Sequence, residues 1–141
     1  MTAPVVRPPA QGAGRWARPL GVLAGAAAAF TYVGLVNPNR PGHYPVCPLY
    51  ALTGVYCPGC GGLRCAHAVA TGDLPTALHD NALAVAAFAA CAVLWVRWVL
   101  RTRRGLPATV RISGHWGWFF CVLVAVFTVA RNLPFGGLLA P

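Results

Sequence analysis

The sequence is most unusual in the charged side chains that it lacks. Its 141 residues include no lysine and no glutamate, and the acidic side chains are those of Asp73 and Asp80. Charged residues make up 9% of the chain and hydrophobic residues 57%, whereas a soluble domain carries about 25% charged residues. The chain therefore has too few charged side chains to cover a folded surface in water, and we expect lipid to be its solvent.

The shortage of acidic residues also restricts the catalytic chemistry. The sequence contains no H-E-x-x-H helix and no Ser/His/Asp set of the kind that supports hydrolysis. Asp73 is better explained as a helix N-cap, followed by Pro75 in the first turn. We therefore expect no hydrolysis by paired carboxylates, and the sequence favours a non-enzymatic role without deciding the point.

Arginine supplies all eleven basic residues and a formal net charge of +9. A basic chain can bind nucleic acid, but that requires the charge to gather on one face. Here the arginines stand at the ends of apolar stretches, a pattern typical of membrane proteins beside anionic lipid. We therefore expect the lipid bilayer to be a partner of this chain and nucleic acid not to be one.

Three apolar stretches are long enough to predict membrane spans, at residues 20–36, 82–100 and 116–130. At about 1.5 Å rise per residue, the first two approach the thickness of a hydrocarbon core of about 30 Å. The third is short and reaches a plausible length only if Gly114, His115 and its ends are included. The first stretch is also compatible with a cleaved signal peptide, which the sequence leaves open. Residues 1–18 are rich in arginine and proline and predict a disordered tail.

Residues 19–141 are then a single membrane domain of the all-α class. It has about three transmembrane helices and a short cysteine-rich helical hairpin, which we call the knuckle and place at residues 43–80. Within the knuckle, a helix after Gly62 should end at Gly72, and the chain should turn into the membrane near Asn81.

The arginine distribution predicts the orientation in the membrane. Seven arginines flank the first span on its N-terminal side or lie between the second and third spans, whereas two lie between the first and second spans. The positive-inside rule then places the N-terminus in the cytoplasm, with the knuckle and residues 133–141 outside. The two groups are Arg7, Arg15, Arg18, Arg101, Arg103, Arg104 and Arg111, and then Arg40 and Arg64.

Four cysteines of the knuckle have the spacing C-x9-C-x2-C-x4-C, and the first hypothesis for them is structural. Outside the cytoplasm the compartment is oxidising, and cysteines there are commonly paired. A disulfide from Cys47 to Cys57 or Cys60 would close a loop of about a dozen residues and stabilise it by about 2–4 kcal/mol. Cys65 is the fourth cysteine of the set.

A metal site is the second hypothesis, with zinc as the possible ion. Zinc takes four soft or borderline ligands in a tetrahedron, and the C-x2-C turn supplies Cys57 and Cys60. Cys47 could supply a third ligand, and either Cys65 or His67 the fourth. Whether stapled by disulfides or bound to a metal, the knuckle would then be a structural element that docks another membrane or envelope protein.

Two further hypotheses remain open. Cys57 and Cys60 precede a helix, whose unpaired amide groups and dipole favour a thiolate, so they could form a redox dithiol serving an envelope protein. Alternatively, Gly61, Gly62 and Arg64 at the helix start could hold a phosphate or a lipid headgroup. Against this last reading, Arg64 could instead fix the knuckle by pairing with an aspartate.

The central motif resembles that of a family of small bacterial membrane proteins of unknown function. In that family a C-P…T-G-x-x-C-P-G-C-G-x-x-R…H…G-D…N signature lies between hydrophobic helices. Leu63 stands where threonine is common, and Ala82 where proline often follows the asparagine. The resemblance implies a membrane location and a shared role for the cysteines, the arginine and the histidine, but supplies no activity. The matching residues are Cys47-Pro48, Thr53-Gly54, Cys57 to Gly62, Arg64, His67, Gly72-Asp73, Asn81 and Arg131 to Pro134.

Overall fold

The computed structural model describes residues 14–40, 42–106, 114–134 and 136. Those residues form five α-helices and no strand, which confirms the predicted all-α class. The helices are α1 (Gly14–Leu35), α2 (Pro48–Thr53), α3 (Gly62–Thr71), α4 (Leu74–Arg103) and α5 (Gly114–Arg131).

Three of these helices, α1, α4 and α5, are long and apolar enough to cross a membrane. They match the three predicted spans, except that α1 ends at Leu35, one residue before the predicted end. The chain is therefore described as a multi-pass membrane protein. Their apolar side chains are largely exposed, as expected for helices whose surroundings are lipid.

The first helix begins earlier than the sequence predicted. Residues 14–18, assigned to the disordered tail, form the first turns of α1, whereas residues 1–13 lie outside the described part of the chain. Trp95 of α4 donates its indole Nε1–H to the backbone oxygen of Pro19 at 3.0 Å. This bond fixes the start of α1 against α4. Arg111 and most of the segment after residue 134 also lie outside the described residues.

The contact between α3 and its neighbours uses small side chains. Cys65 and Ala68 of α3 are buried against Ala77 of α4, and Phe88 packs at the edge of this cluster. The ring of Phe30 in α1 meets Phe88 edge to face, with 5.3 Å between the ring centroids. Small residues allow close approach of helices in a membrane protein, and here they bring α1, α3 and α4 together.

A tight connection folds α3 back onto α4. Gly72 ends α3 with a φ of +84°, a conformation that glycine adopts without steric cost. Asp73 then caps α4, because its carboxylate accepts the Thr76 backbone N–H at 3.2 Å. The Thr76 side chain, followed by this backbone N–H, lowers the pKa of the Asp73 carboxyl. The predicted N-cap and the predicted end of the short helix at Gly72 are both confirmed.

The fourth helix is broken at Asn81, where φ is −165° and ψ is 92°. No proline causes this break, since Ala82 follows. Instead, the Asn81 side-chain oxygen accepts the backbone N–H of Ala84 at 2.9 Å and so caps the second half of the helix. The predicted change of direction near Asn81 is therefore present, and it leaves the asparagine side chain free to reach into the knuckle.

Candidate functional site

Three thiols of the knuckle converge, and we call Cys47, Cys57 and Cys60 the sulfur cluster. The Cys57 sulfur lies 3.6 Å from that of Cys47 and 3.1 Å from that of Cys60. All three sulfurs lie within 4.8 Å of one another. Cys60 is buried and the other two are half-buried, so the cluster sits just beneath the surface of the knuckle.

The sequence Cys57-Pro58-Gly59-Cys60 forms a tight turn, which we call the cysteine turn. The Cys60 backbone N–H donates to the Cys57 carbonyl at 3.1 Å, and the Cys57 N–H points at the Cys60 sulfur at 3.3 Å. Proline and glycine suit the two central positions of such a turn. Gly61 follows with a φ of +78°, which redirects the chain into α3.

The short helix α2 positions the third sulfur. Cys47 immediately precedes Pro48, which starts α2, and Gly54 ends the helix with a φ of +71°. The rings of Tyr50 and Tyr56 then stack with 4.6 Å between their centroids. The chain therefore turns back on itself after one and a half turns of helix, and Cys57 returns to the vicinity of Cys47.

The Asn81 side chain fixes the cysteine turn by hydrogen bonds to its carbonyl groups. Its side-chain Nδ2 donates to the carbonyl oxygen of Pro58 at 2.9 Å and to that of Cys60 at 3.0 Å. The residue is only 1% exposed. Because buried carbonyl groups need hydrogen-bond donors, the break in α4 supplies what the turn cannot satisfy by itself.

Arg131, the last residue of α5, holds the same turn from another side. Its Nη1 donates to the Cys57 carbonyl at 2.9 Å and to the Cys60 carbonyl at 3.1 Å. The guanidinium lies over the rings of Tyr56 and Phe127, at 5.7 and 5.0 Å from their centroids. The side chain is 2% exposed, and its Nε and Nη2 have no hydrogen-bond partner among the described residues.

The next residue, Asn132, pairs with the chain just before the turn. Its Oδ1 accepts the Tyr56 backbone N–H at 2.8 Å, and its Nδ2 donates to the Tyr56 carbonyl at 2.9 Å. The side chain therefore pairs with both backbone groups of one residue, much as a neighbouring strand would. Together with Arg131 it attaches the end of α5 to the knuckle.

The sulfur separations suit a shared metal ion. Thiolates around a tetrahedral zinc ion, with bonds of about 2.3 Å, lie about 3.8 Å apart. The separation of 3.6 Å is close to this value, and that of 3.1 Å is shorter than it but well beyond the distance of about 2.05 Å in a disulfide. The six cysteines are free thiols in the structure. Three sulfurs would fill three positions around zinc and leave a fourth for another ligand.

The surroundings shift the pKa values of Cys47 and Cys60 in opposite directions. The Cys47 sulfur makes no regular capping bond to α2, but the nearby Tyr50 backbone N–H, followed by the Cys60 and Cys57 thiols, lowers the pKa of Cys47 to about 7. Burial, with the two neighbouring thiols, raises the pKa of Cys60 to about 12. Cys47 therefore ionises before Cys60, and Cys60 needs a cation to become a thiolate at neutral pH.

The structure does not bring Cys65 or His67 to the sulfur cluster. Cys65 is 0% exposed and its sulfur points at the Asn81 backbone oxygen, 3.6 Å away. Burial raises the pKa of this thiol. The Nδ1 of His67 hydrogen-bonds the Val33 carbonyl at 2.8 Å, which ties α3 to α1. Cys65 packs against α4 and His67 faces α1, so neither supplies a fourth ligand in this arrangement.

The candidate anion-binding residues lie together at the start of α3. Gly61 is the N-cap and Gly62 is the first residue of the helix. Arg64 is exposed one turn later, and no hydrogen bond within the described residues fixes its guanidinium. A helix start with an exposed arginine is found in many proteins without a ligand, and no other feature of this segment points to an anion.

Sequence reasoning missed the polar residues that hold the turn. Asn81 was interpreted as a change of direction, and Arg131 and Asn132 as the end of a span. A signal was available, because an asparagine and an arginine at the ends of apolar helices are costly to bury and so need partners. The partner could not be read from the sequence, since Arg131 lies 74 residues from Cys57.

A family model described as Protein of unknown function (DUF2752) matches residues 47–95. The match begins at Cys47 and extends into α4, so it contains the sulfur cluster, α3 and Asn81. It agrees with the resemblance seen in the sequence, and it supplies no activity. No curated protein and no solved structure matches the chain.

Proposed function

We propose that this protein is a non-enzymatic membrane component whose knuckle is stapled by a metal ion bound to Cys47, Cys57 and Cys60. The single observation that carries the proposal is the convergence of these three thiols within 4.8 Å. Thiolate ligands favour soft or borderline ions, and zinc is the proposed ion because it needs no redox chemistry to serve a structural role.

A metal explains the third sulfur better than a disulfide does. A disulfide from Cys47 to Cys57 or Cys60, or one between Cys57 and Cys60, would use two of the three sulfurs and leave the third without a function in the cluster. A metal ion uses all three, and it would also compensate for the cost of ionising the buried Cys60 thiol. The fourth position would be filled by water or by a group from a partner.

The distribution of arginines supports an orientation in which the knuckle faces the outside of a bacterial cell membrane and the N-terminus the cytoplasm. The knuckle exposes the apolar side chains of Val46, Leu49, Leu52 and Val55. Because such side chains favour a lipid or protein neighbour, we propose that the stapled knuckle docks another membrane or envelope protein.

Elemental analysis of the full chain, purified in mild detergent, tests the metal. We expect about one zinc per chain in the wild type and none in the Cys57→Ser variant, since a two-thiol site lacks the ligand number of structural zinc. Cys91→Ser is the matched control, because Cys91 is exposed on α4 outside the cluster. A wild-type protein that takes up no zinc, cadmium or cobalt under reducing conditions would contradict the proposal.

A redox dithiol is the second candidate, because the Cys57 and Cys60 sulfurs lie only 3.1 Å apart. In that function both thiols would be oxidised to one disulfide, and two electrons and two protons would reduce a disulfide of an envelope protein to two thiols. A measured reduction potential in the range of known dithiol oxidoreductases, together with a trapped mixed disulfide in a Cys60→Ser variant, would favour this candidate over the metal.

A further inference from the structure

The guanidinium of Arg131 is a buried cation with no carboxylate partner in the described part of the chain. It is 2% exposed, and the carbonyls of Cys57 and Cys60 occupy only its Nη1. Nε and Nη2 have no hydrogen-bond partner among the described residues. Burying an arginine without a counter-charge costs several kcal/mol, so the structure around it should contain an anion.

The chain offers few candidates for that anion. Its two side-chain carboxylates are those of Asp73 and Asp80. Asp73 caps α4, and the charges that surround Asp80 are those of Arg64, His79 and Asp73. Neither aspartate forms an ion pair with Arg131 in the described structure.

Among the described residues, the acidic groups of Cys60, Cys57 and Tyr56 interact electrostatically with the Arg131 guanidinium. Two of these belong to the sulfur cluster, and their own backbone carbonyls accept the guanidinium hydrogen bonds. The negative charge that the buried arginine requires is therefore available from the cluster and from no aspartate.

We propose that Arg131 is the counter-ion of the metal-bound sulfur cluster, an inference that rests on the proposed function. A divalent ion held by three thiolates carries one net negative charge, which one guanidinium neutralises. A disulfide carries no charge and would leave the buried arginine uncompensated. Arg131 thus acts on the metal through its charge, and the end of α5 becomes part of the metal site without supplying a ligand.

The competing explanation is that Arg131 only clamps the turn. Asn81 offers the matched comparison, because it also donates to two carbonyls of the cysteine turn and is also buried, but carries no charge. A purely structural role predicts that losing either side chain weakens metal binding to a similar degree. A charge role predicts a larger loss at Arg131 and rescue by lysine.

The test is a cobalt or cadmium titration of the reduced full chain in detergent, against a competing chelator, with the thiolate charge-transfer absorption as readout. Outer-shell partners of metal sites typically contribute 10–100-fold to affinity, so we expect Arg131→Gln to lose about that much. Arg131→Lys keeps the positive charge but loses the planar guanidinium that lies over the two rings, so it should lose clearly less affinity than Arg131→Gln. Arg64→Gln, which removes an exposed arginine, should bind like the wild type.

Each outcome separates the two proposals. Metal bound equally well by wild type and Arg131→Gln would overturn the counter-ion role and leave the metal site standing, whereas a wild type that binds no metal overturns the proposed function itself. Should Arg131→Gln fail to fold by circular dichroism, Arg131→Lys decides. If Arg131→Lys loses as much metal affinity as Asn81→Ala, Arg131 serves only to hydrogen-bond the carbonyls of the cysteine turn.

Discussion

The long helices and the sulfur cluster are stabilised by different kinds of contact. Where α1, α3 and α4 meet, the buried side chains are small and apolar. The cysteine turn is instead fixed by hydrogen bonds from Asn81 and Arg131. A spanning helix satisfies its own backbone groups, whereas irregular backbone beside a membrane needs outside donors. The polar helix ends supply those donors, so order in the knuckle depends on residues outside it.

The largest expected difference is in reactivity, between the Cys47 and Cys60 thiols of the sulfur cluster. In metal-free, reduced protein, the thiolate fraction of Cys47 should reach one half near pH 7 and fall below that pH, because its pKa is lowered to about 7. Cys60 should stay protonated until about pH 12. We therefore expect alkylation at pH 7 to label Cys47 faster by several orders of magnitude, since each pKa unit changes the thiolate fraction about tenfold.

Mass spectrometry after timed alkylation, with Cys91 and Cys121 replaced by alanine, measures this difference. Adding zinc should suppress the labelling of Cys47 if the ion occupies the cluster, because a metal-bound thiolate is a poorer nucleophile. Equal labelling of Cys47 and Cys60 at pH 7 would show that the two thiols do not differ in pKa. The cysteine turn would then affect its thiols no differently from an ordinary turn.

Removing a side chain that donates to the cysteine turn should lower the free energy of unfolding more than removing a side-chain hydrogen bond inside a spanning helix. Asn81→Ala leaves the Pro58 carbonyl without its donor and deletes the cap of Ala84, while the Cys60 carbonyl keeps the hydrogen bond from Arg131. We expect a loss of about 2–4 kcal/mol in the free energy of unfolding, because buried unsatisfied groups cost about 1–3 kcal/mol each. Denaturation in detergent, followed by circular dichroism, measures it.

Thr128→Val is the matched control within a span. The Thr128 hydroxyl donates to the Val124 carbonyl at 2.7 Å, inside a helix whose backbone is already hydrogen-bonded. Its removal should therefore change the stability by less than about 0.5 kcal/mol. Similar losses in both variants would refute the view that the two regions are stabilised differently.

The same division explains what the sequence could predict. The spans, the cap at Asp73 and the change of direction at Asn81 follow from local patterns of apolar residues and caps, and the structure confirms them. The hydrogen-bond partners of Arg131 and His67 do not follow from local patterns, because each is set by the packing of segments distant in sequence. Cysteine spacing indicated a site, but only the fold separates Cys65, which faces the helix contact, from the three converging thiols.

Backbone conformation within the knuckle offers a smaller and sharper comparison. Gly61 has a φ of +78°, whereas its neighbour Gly62 is helical and has open space where a Cβ would lie. Gly61→Ala should therefore destabilise the protein by about 1–2 kcal/mol, the cost of a left-handed conformation for an L-residue. Gly62→Ala should be neutral or stabilise by up to about 1 kcal/mol. Thermal unfolding of the two variants in the same detergent compares them, and equal midpoints would show that the turn does not need this backbone geometry.

The smallest effect is expected where α5 is attached at the surface. Asn132 is exposed and pairs with both backbone groups of Tyr56, so Asn132→Ala should cost only about 1 kcal/mol in total. Locally the effect should be clear, because a change of 1 kcal/mol raises amide exchange about fivefold. Hydrogen exchange at the Tyr56 amide measures it, with Asn132→Asp as the control, since aspartate keeps the oxygen that accepts this N–H. Faster exchange in the alanine variant and protection in the aspartate variant would assign the attachment to this one hydrogen bond. Unchanged exchange in both variants would mean that Arg131 alone attaches α5 to the knuckle. That attachment would then depend on a single buried charge.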